Sequence, residues 1–311
     1  MVNAESPSAV GHPTTDEPSW DNNARPPHQF RPKTYSQYLS SVFTLWTLLD
    51  AVIESVPMAA RALTPYGYMK RPQLHAYAAL VWNRSTSGRK VQYCETGFNG
   101  GHGTAAMLLA SPDVFAHSFD IFSTQYSHTA SKLLKLHFGS TRFRTYAGNT
   151  RSTLPAFVAA RQSNFSCDIV LIDGDHSRAG AYRDLVAMSK VAACNATVLI
   201  DDINEAPGEA LKQAEREGLV EVLYRDMYRR GKKGSTRSPG GSFFPACALK
   251  RTHTLICAPT WGWALARFTP RATRSCLRSA VVTPAEQIRV VNASMVRRAR
   301  DLALAHGVAN T

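Results

Sequence analysis

Between Lys90 and Tyr228 two hydrophobic rhythms alternate. Short apolar runs of strand length recur at Val91–Cys94, Ala116–Asp120, Arg142–Ala147, Asp168–Asp173, Thr197–Asp201 and Val220–Tyr224. Between them apolar positions return at helical spacing near Gly103–Ala110, Tyr126–His137, Thr153–Gln162, Ala179–Val191 and Ala206–Glu217. This alternation predicts an α/β fold, a doubly wound and mostly parallel sheet with helices on both faces. In such sheets ligands bind at the carboxyl ends of the strands, near the point where strand order reverses. The residues that close the strands are therefore where chemistry is expected.

The flanks follow other patterns. From Tyr35 to Leu63 apolar residues (Leu39, Val42, Phe43, Trp46, Leu49, Val52, Ile53, Val56) recur at helical spacing, and Gln73–Trp82 reads as a second helix. The best candidate for a bilayer span, Ser41–Ile53, contains Asp50 and is too short. Residues 1–35 are rich in Pro, Ser, Thr and Asn and read as a disordered arm. Beyond Tyr228 the rhythm degrades into the basic loop Gly231–Gly241, a candidate closing antiparallel strand at Trp261–Phe268, and a helix-like Pro284–Ala305. The expected organisation is an arm (1–35), a helical cap (36–88), an α/β domain (89–268) and an irregular basic C-terminal extension (269–311).

Charge changes this picture less than its total suggests. The 311 residues hold 36 Lys/Arg against 23 Asp/Glu, a net +13, which invites a nucleic-acid reading. Residues 221–311, however, carry 16 of the cations and 4 of the anions, whereas residues 36–220 carry 17 and 15. The excess belongs to the C-terminal segment and leaves the α/β region nearly neutral. The six cysteines show no CxxC pair, which fits a reducing compartment and argues against a structural zinc site. No basic segment followed by an apolar one opens the chain, so a cytoplasmic location is expected.

The strongest chemical signal is VQYCETGFNGGHGTAAMLL, a strand ending on Glu95, a turn with Gly97, Gly100, Gly101 and Gly103, and then a helix. Glycines let backbone approach a ligand closely and adopt dihedrals closed to other residues. The next strand closes on Asp120, whose carboxylate suits the hydroxyls of a ribose. Gly101–Ala106 fits the dinucleotide pattern G-x-G-x-x-A, but in that motif the first glycine follows the strand directly. A glycine-rich turn without a ligand is the plain alternative. A second cluster closes the fourth and fifth strands, with Asp173, Asp175 and His176 in CDIVLIDGDHS and Asp201 and Asp202 in TVLIDDIN. Buried apolar strands that end in carboxylates are hard to explain by packing, because unpaired buried charge is costly. Neighbouring strands lie about 4.8 Å apart, so Asp173, Asp201 and Asp202 can converge on one cation. Three carboxylates suit Mg²⁺ or Mn²⁺ better than zinc. Asp175 reads mainly as a helix cap.

The spacing E-x-G-x-x-x-G-x-G resembles motif I of the class I S-adenosylmethionine (SAM)-dependent methyltransferases. The DGDH and DD strand ends resemble the metal-dependent small-molecule O-methyltransferases of that class, the catechol-type and sugar enzymes. The resemblance covers roughly residues 65–228. It implies a seven-stranded Rossmann-like sheet, with SAM held by Glu95, Gly97, Gly101, Gly103, Asp120, Asn149 and Asp173. It also implies Mg²⁺ or Mn²⁺ on Asp173, Asp201 and Asp202, with His176 as general base. The fifth-strand pair is usually completed by Asn in the catechol-type enzymes, where this chain has Asp202. A plain turn at Asn149 and Thr150 is an equal alternative to an adenine contact. His102 is expected to make local hydrogen bonds.

The implied reaction is O-methylation of a small-molecule or sugar hydroxyl. Tyr66, Tyr68, Met69, Trp261 and Trp263 are candidates to line the acceptor pocket. Two other readings stay open: a nucleic-acid-binding protein or RNA methyltransferase using the basic C-terminal segment, and an inactive protein of the same fold. Oligomeric state is left open between monomer and homo-oligomer.

Overall fold

The computed structural model describes residues 34–57, most of 73–81, 89–161, 164–229, 247–249, 255–257, 260–270 and 272–273. The expected N-terminal arm, the pocket candidates Tyr66, Tyr68 and Met69, the loop Gly231–Gly241 and the tail beyond residue 273 lie outside them.

Strands β1 (Val91–Thr96), β2 (Val114–Asp120), β3 (Phe143–Ala147), β4 (Cys167–Ile172), β5 (Ala192–Ile200), β6 (Val220–Arg229) and β9 (Thr260–Phe268) form one seven-stranded sheet. Its order is β3-β2-β1-β4-β5-β9-β6, and β1 pairs in parallel with both β2 and β4, so strand order reverses at β1. The candidate closing strand is β9. It runs antiparallel between β5 and β6 rather than at an edge, pairing Ile200 with Ala264 and Val220 with Phe268. A separate antiparallel pair joins β7 (Cys247–Leu249) to β8 (Leu255–Cys257).

Helices cover both faces. On one lie α1 (Tyr35–Glu54), helical residues of 73–81, α2 (His102–Ala110) and α3 (Gln125–Phe138). On the other lie α4 (Thr150–Ala160), α5 (Arg178–Ser189) and α6 (Ala206–Arg216). Helix α1 starts at a capping box, in which Thr34 and Gln37 satisfy each other's backbone N–H. Tyr38, Val42, Leu45, Leu49 and Ile53 recur every three or four residues and are all buried. Each such burial contributes roughly 1.5–3 kcal/mol. Helix α2 is short and buried nearly all round, which its small Ala105, Ala106 and Ala110 permit between sheet and α1.

Two buried polar side chains tie the sheet together away from the strand ends that carry the candidate chemistry. Arg142 donates to the carbonyls of Leu108, Ser111 and Val114, satisfying the end of α2 and the start of β2. His117 on β2 lies between Tyr146 Oη and Gln92 Oε1, 3.1 Å from each, and burial lowers its pKa to about 3. The unfolded chain therefore takes up a proton here that the folded chain refuses. Stability associated with His117 is complete above about pH 6.5 and is lost as pH falls from there towards 3, by up to about 1.4 kcal/mol per pH unit. Melting temperatures measured from pH 7 to pH 4 should fall more steeply for the native chain than for His117→Gln; parallel slopes would contradict this assignment.

Cys94 and Cys167 are joined by a disulfide between β1 and β4. The reading of all six cysteines as reduced thiols fails for this pair, because the sheet brings together residues 73 positions apart in sequence.

Candidate active site

The carboxyl ends of β1, β2, β4 and β5 gather the acids that the sequence singled out. Glu95, near the end of β1, is buried and saturated by hydroxyls. Tyr93 donates at 2.5 Å, Ser118 at 2.6 Å, and Thr104 of α2 also donates. Burial raises its pKa, while the three donors act in the opposite direction. Glu95 thus fastens the first turn of α2 to β1 and β2.

Gly97 follows at φ +87°, and a Cβ there would stand 2.0 Å from the Asp173 carbonyl oxygen. Glycine is required because the ends of β1 and β4 meet backbone to backbone, Asp173 N–H donating to Thr96 O at 3.0 Å. Gly101 (φ +80°) is the N-cap of α2, a position where a Cβ would strike the Phe98 ring. Gly103 sits within the first turn of α2.

Asp120 closes β2. Its Oδ2 accepts the N–H groups of Phe98 and Asn99 at 2.8 and 2.9 Å, and its Oδ1 accepts that of Phe122 at 2.6 Å. The carboxylate pins the glycine turn to β2. Asn99 and Phe122 take positive φ values of 47° and 51° around it. Asn149 caps α4, its Oδ1 accepting Arg151 N–H at 2.9 Å.

At the next two strand ends, His176 Nε2 lies 3.5 Å from Asp173 Oδ1 and its Nδ1 lies 3.3 Å from Asp202 Oδ2. Among the described residues Asp173, His176 and Asp202 form a group whose ligand atoms all lie within 4.8 Å of one another. Asp201 is half-buried beside them and accepts Asp202 N–H at 2.9 Å, while Asp202 holds a left-handed φ of 49°. Burial, joined by the like charges of Asp201 and Asp202, pushes Asp173 up to about 7. Its hydrogen bond and charge contact with Asp173, together with the charges of Asp202 and Asp201, raise His176 to about 9. The cap expected of Asp175 is supplied by Ser177, whose hydroxyl accepts Gly180 N–H at 3.0 Å; Asp175 instead accepts Ser177 N–H at 2.9 Å, just ahead of α5, and pairs with Arg183.

Some residues near this edge carried no clear sequence signal. Tyr77, fully buried on a helix before β1, feels the charge of Asp201 and Asp173 and packs edge-on against Trp263. Ile121, directly after Asp120, is exposed although apolar. Trp263 itself is buried, and the Trp261 side chain lies outside the described residues.

Residues 94–203 match the family model described as a methyltransferase domain, a span that contains every strand-end residue named above from Glu95 to Asp202. The matched segment spans about a third of the chain. Two solved structures are similar to about three quarters of the chain. The O-methyltransferase from Bacillus cereus in complex with SAH is 12% identical, with 76% of this chain and 92% of that one covered and a TM-score of 0.48. TomG, the O-methyltransferase of Streptomyces achromogenes involved in tomaymycin synthesis and solved with SAM, is 15% identical over 74% and 96%, with a TM-score of 0.46. No curated protein matches the sequence. The matched segment extends from the last residues of β1 to just beyond β5, so it includes the reversal point of the sheet.

Proposed function

We propose that the methyltransferase domain transfers the sulfonium methyl of SAM to a hydroxyl oxygen of a small molecule or sugar, with His176 as general base. The observation that carries this reading is the convergence of Asp173, His176 and Asp202 one strand away from the glycine turn. A ribose hydroxyl donates to Asp120 Oδ1, which accepts one backbone N–H where Oδ2 accepts two. The amino-acid end of SAM lies at the turn of Gly97, Gly101 and Gly103, where the start of α2 offers N–H groups to a carboxylate. Asn149 and the exposed apolar Ile121 flank the adenine side.

The donor set fits a hard divalent cation. Burial and the like charges of Asp201 and Asp202 raise Asp173, and the oxygens of Asp173 and Asp202, which converge with His176, suit Mg²⁺ or Mn²⁺, with Asp201 as the further carboxylate beside them. When bound there, such a cation would lower the pKa of an acceptor hydroxyl and offset the carboxylate charge that keeps His176 protonated. An imidazole nitrogen of His176 takes the hydroxyl proton. The oxygen lone pair forms the new O–CH₃ bond as the S–CH₃ bond breaks, and that electron pair returns to sulfur to leave SAH. Holding the two reactants in line supplies much of the acceleration.

Methyl transfer from labelled SAM to catechols and sugars, run with and without EDTA, tests the proposal. Transfer to at least one hydroxyl compound is expected, falling by about 10²-fold or more on chelation and returning with Mg²⁺. Transfer untouched by chelation would remove the cation, and transfer to amines alone would remove the acceptor class.

A further inference from the structure

Asp50, the one charge within Ser41–Ile53, reaches the glycine turn from another part of the chain. Its Oδ1 lies 3.1 Å from Nε2 of His102, the first residue of α2, which is buried. One turn earlier on α1, the Trp46 indole N–H donates to the His102 carbonyl at 3.0 Å, and its ring meets the imidazole edge-on with centroids 5.6 Å apart. Ile53, one turn later, comes so close that a Cβ on Gly100 would stand 2.8 Å from its Cδ1 and 3.1 Å from the His102 ring. Three successive turns of α1 thus grip the two residues on either side of Gly101. Gly101 itself provides no side-chain cap to α2.

We infer that Asp50 is a positioning residue for cofactor binding, acting through His102 to hold the start of α2 in the shape that receives the amino-acid end of SAM. This rests on the SAM reading of the glycine turn given above. A helix that starts on a left-handed glycine has little to fix its first turn from within. Glu95 fixes Thr104 from the sheet side, and α1 fixes His102 from the opposite side. Removing the Asp50 charge leaves the buried ring without its anionic partner and loosens the side of the turn that the sheet does not hold. The effect falls on cofactor affinity, because Asp50 touches neither the strand-end acids nor His176 in the described contacts.

Calorimetric titration of the full chain with SAM, for wild type, Asp50→Asn and Asp50→Glu, tests this alongside steady-state kinetics. Asp50→Asn is expected to weaken SAM binding and raise KM for SAM by about tenfold, with kcat at saturating SAM within about twofold of wild type. Asp50→Glu is expected to recover most of the affinity. Wild-type affinity in Asp50→Asn would overturn the inference. A loss of kcat that saturating SAM does not restore would also overturn it, by making the contact one of general stability. A wild-type chain that binds no SAM would instead overturn the functional reading on which the inference stands. If Asp50→Asn fails to fold, Asp50→Glu carries the test alone: mildly reduced affinity with unchanged kcat supports positioning, and fully wild-type affinity or a fall in kcat at saturating SAM opposes it.

Discussion

His176→Ala is expected to lower turnover by roughly 10²–10⁴-fold while leaving SAM affinity within about twofold of wild type, the usual weight of a positioned general base. The two effects separate because His176 belongs to a different strand end from the turn that holds the cofactor. Its nitrogens face Asp173 and Asp202, whereas Asp120, Gly97 and Gly101 lie around the ends of β1 and β2. Isosteric His176→Gln should lose nearly as much, since an amide can hydrogen-bond but cannot accept the hydroxyl proton at neutral pH. Rapid-mixing and steady-state measurements with one responsive acceptor would check both variants. Turnover within about threefold of wild type would take His176 out of the mechanism.

Gly97→Ala is expected to be the most damaging single-methyl change in the domain. The added carbon would meet the Asp173 carbonyl oxygen at 2.0 Å and its carbon at 2.5 Å, both of them backbone atoms, at a φ of +87°. Neither partner can rotate away, so the ends of β1 and β4 must separate. A loss of roughly 3 kcal/mol or more is expected, with Tm lower by about 6–12 °C and methyl transfer abolished because Asp173 moves with the displaced loop. Gly218→Ala is the control. Its φ is +69°, yet nothing lies within 4 Å of its added carbon, so only the backbone cost of about 1 kcal/mol applies. Thermal melts of the two variants should therefore differ by several degrees. Equal shifts would show that the β1–β4 approach is not what demands glycine at position 97.

Much of the site was legible because strands announce their own ends. The runs IVLI and VLI are apolar and stop at carboxylates, so the sequence alone placed Asp173, Asp201, Asp202 and His176 on one edge of a parallel sheet. The glycine spacing located the turn in the same way. What could not be read were contacts made by the third dimension alone. Nothing local to Asp50 says that it meets His102, 52 positions away, and nothing near Glu95 says that Tyr93, Ser118 and Thr104 surround it. The place of β9 between β5 and β6 depends on a long return that periodicity does not encode. The Cys94–Cys167 pair was hidden for the same reason, since only strand order makes β1 and β4 neighbours. Within the acidic group, residue type could not say that Asp202 would face His176 while Asp201 accepts its neighbour's N–H.

The most direct test of the account is calorimetric titration of the wild-type full-length chain with SAM and with SAH. Saturable binding of one cofactor per chain is expected, with SAH competing for the same site and Asp120→Ala weakening both. Absence of binding at millimolar SAM would contradict the assignment of the glycine turn, and with it the proposed methyl transfer.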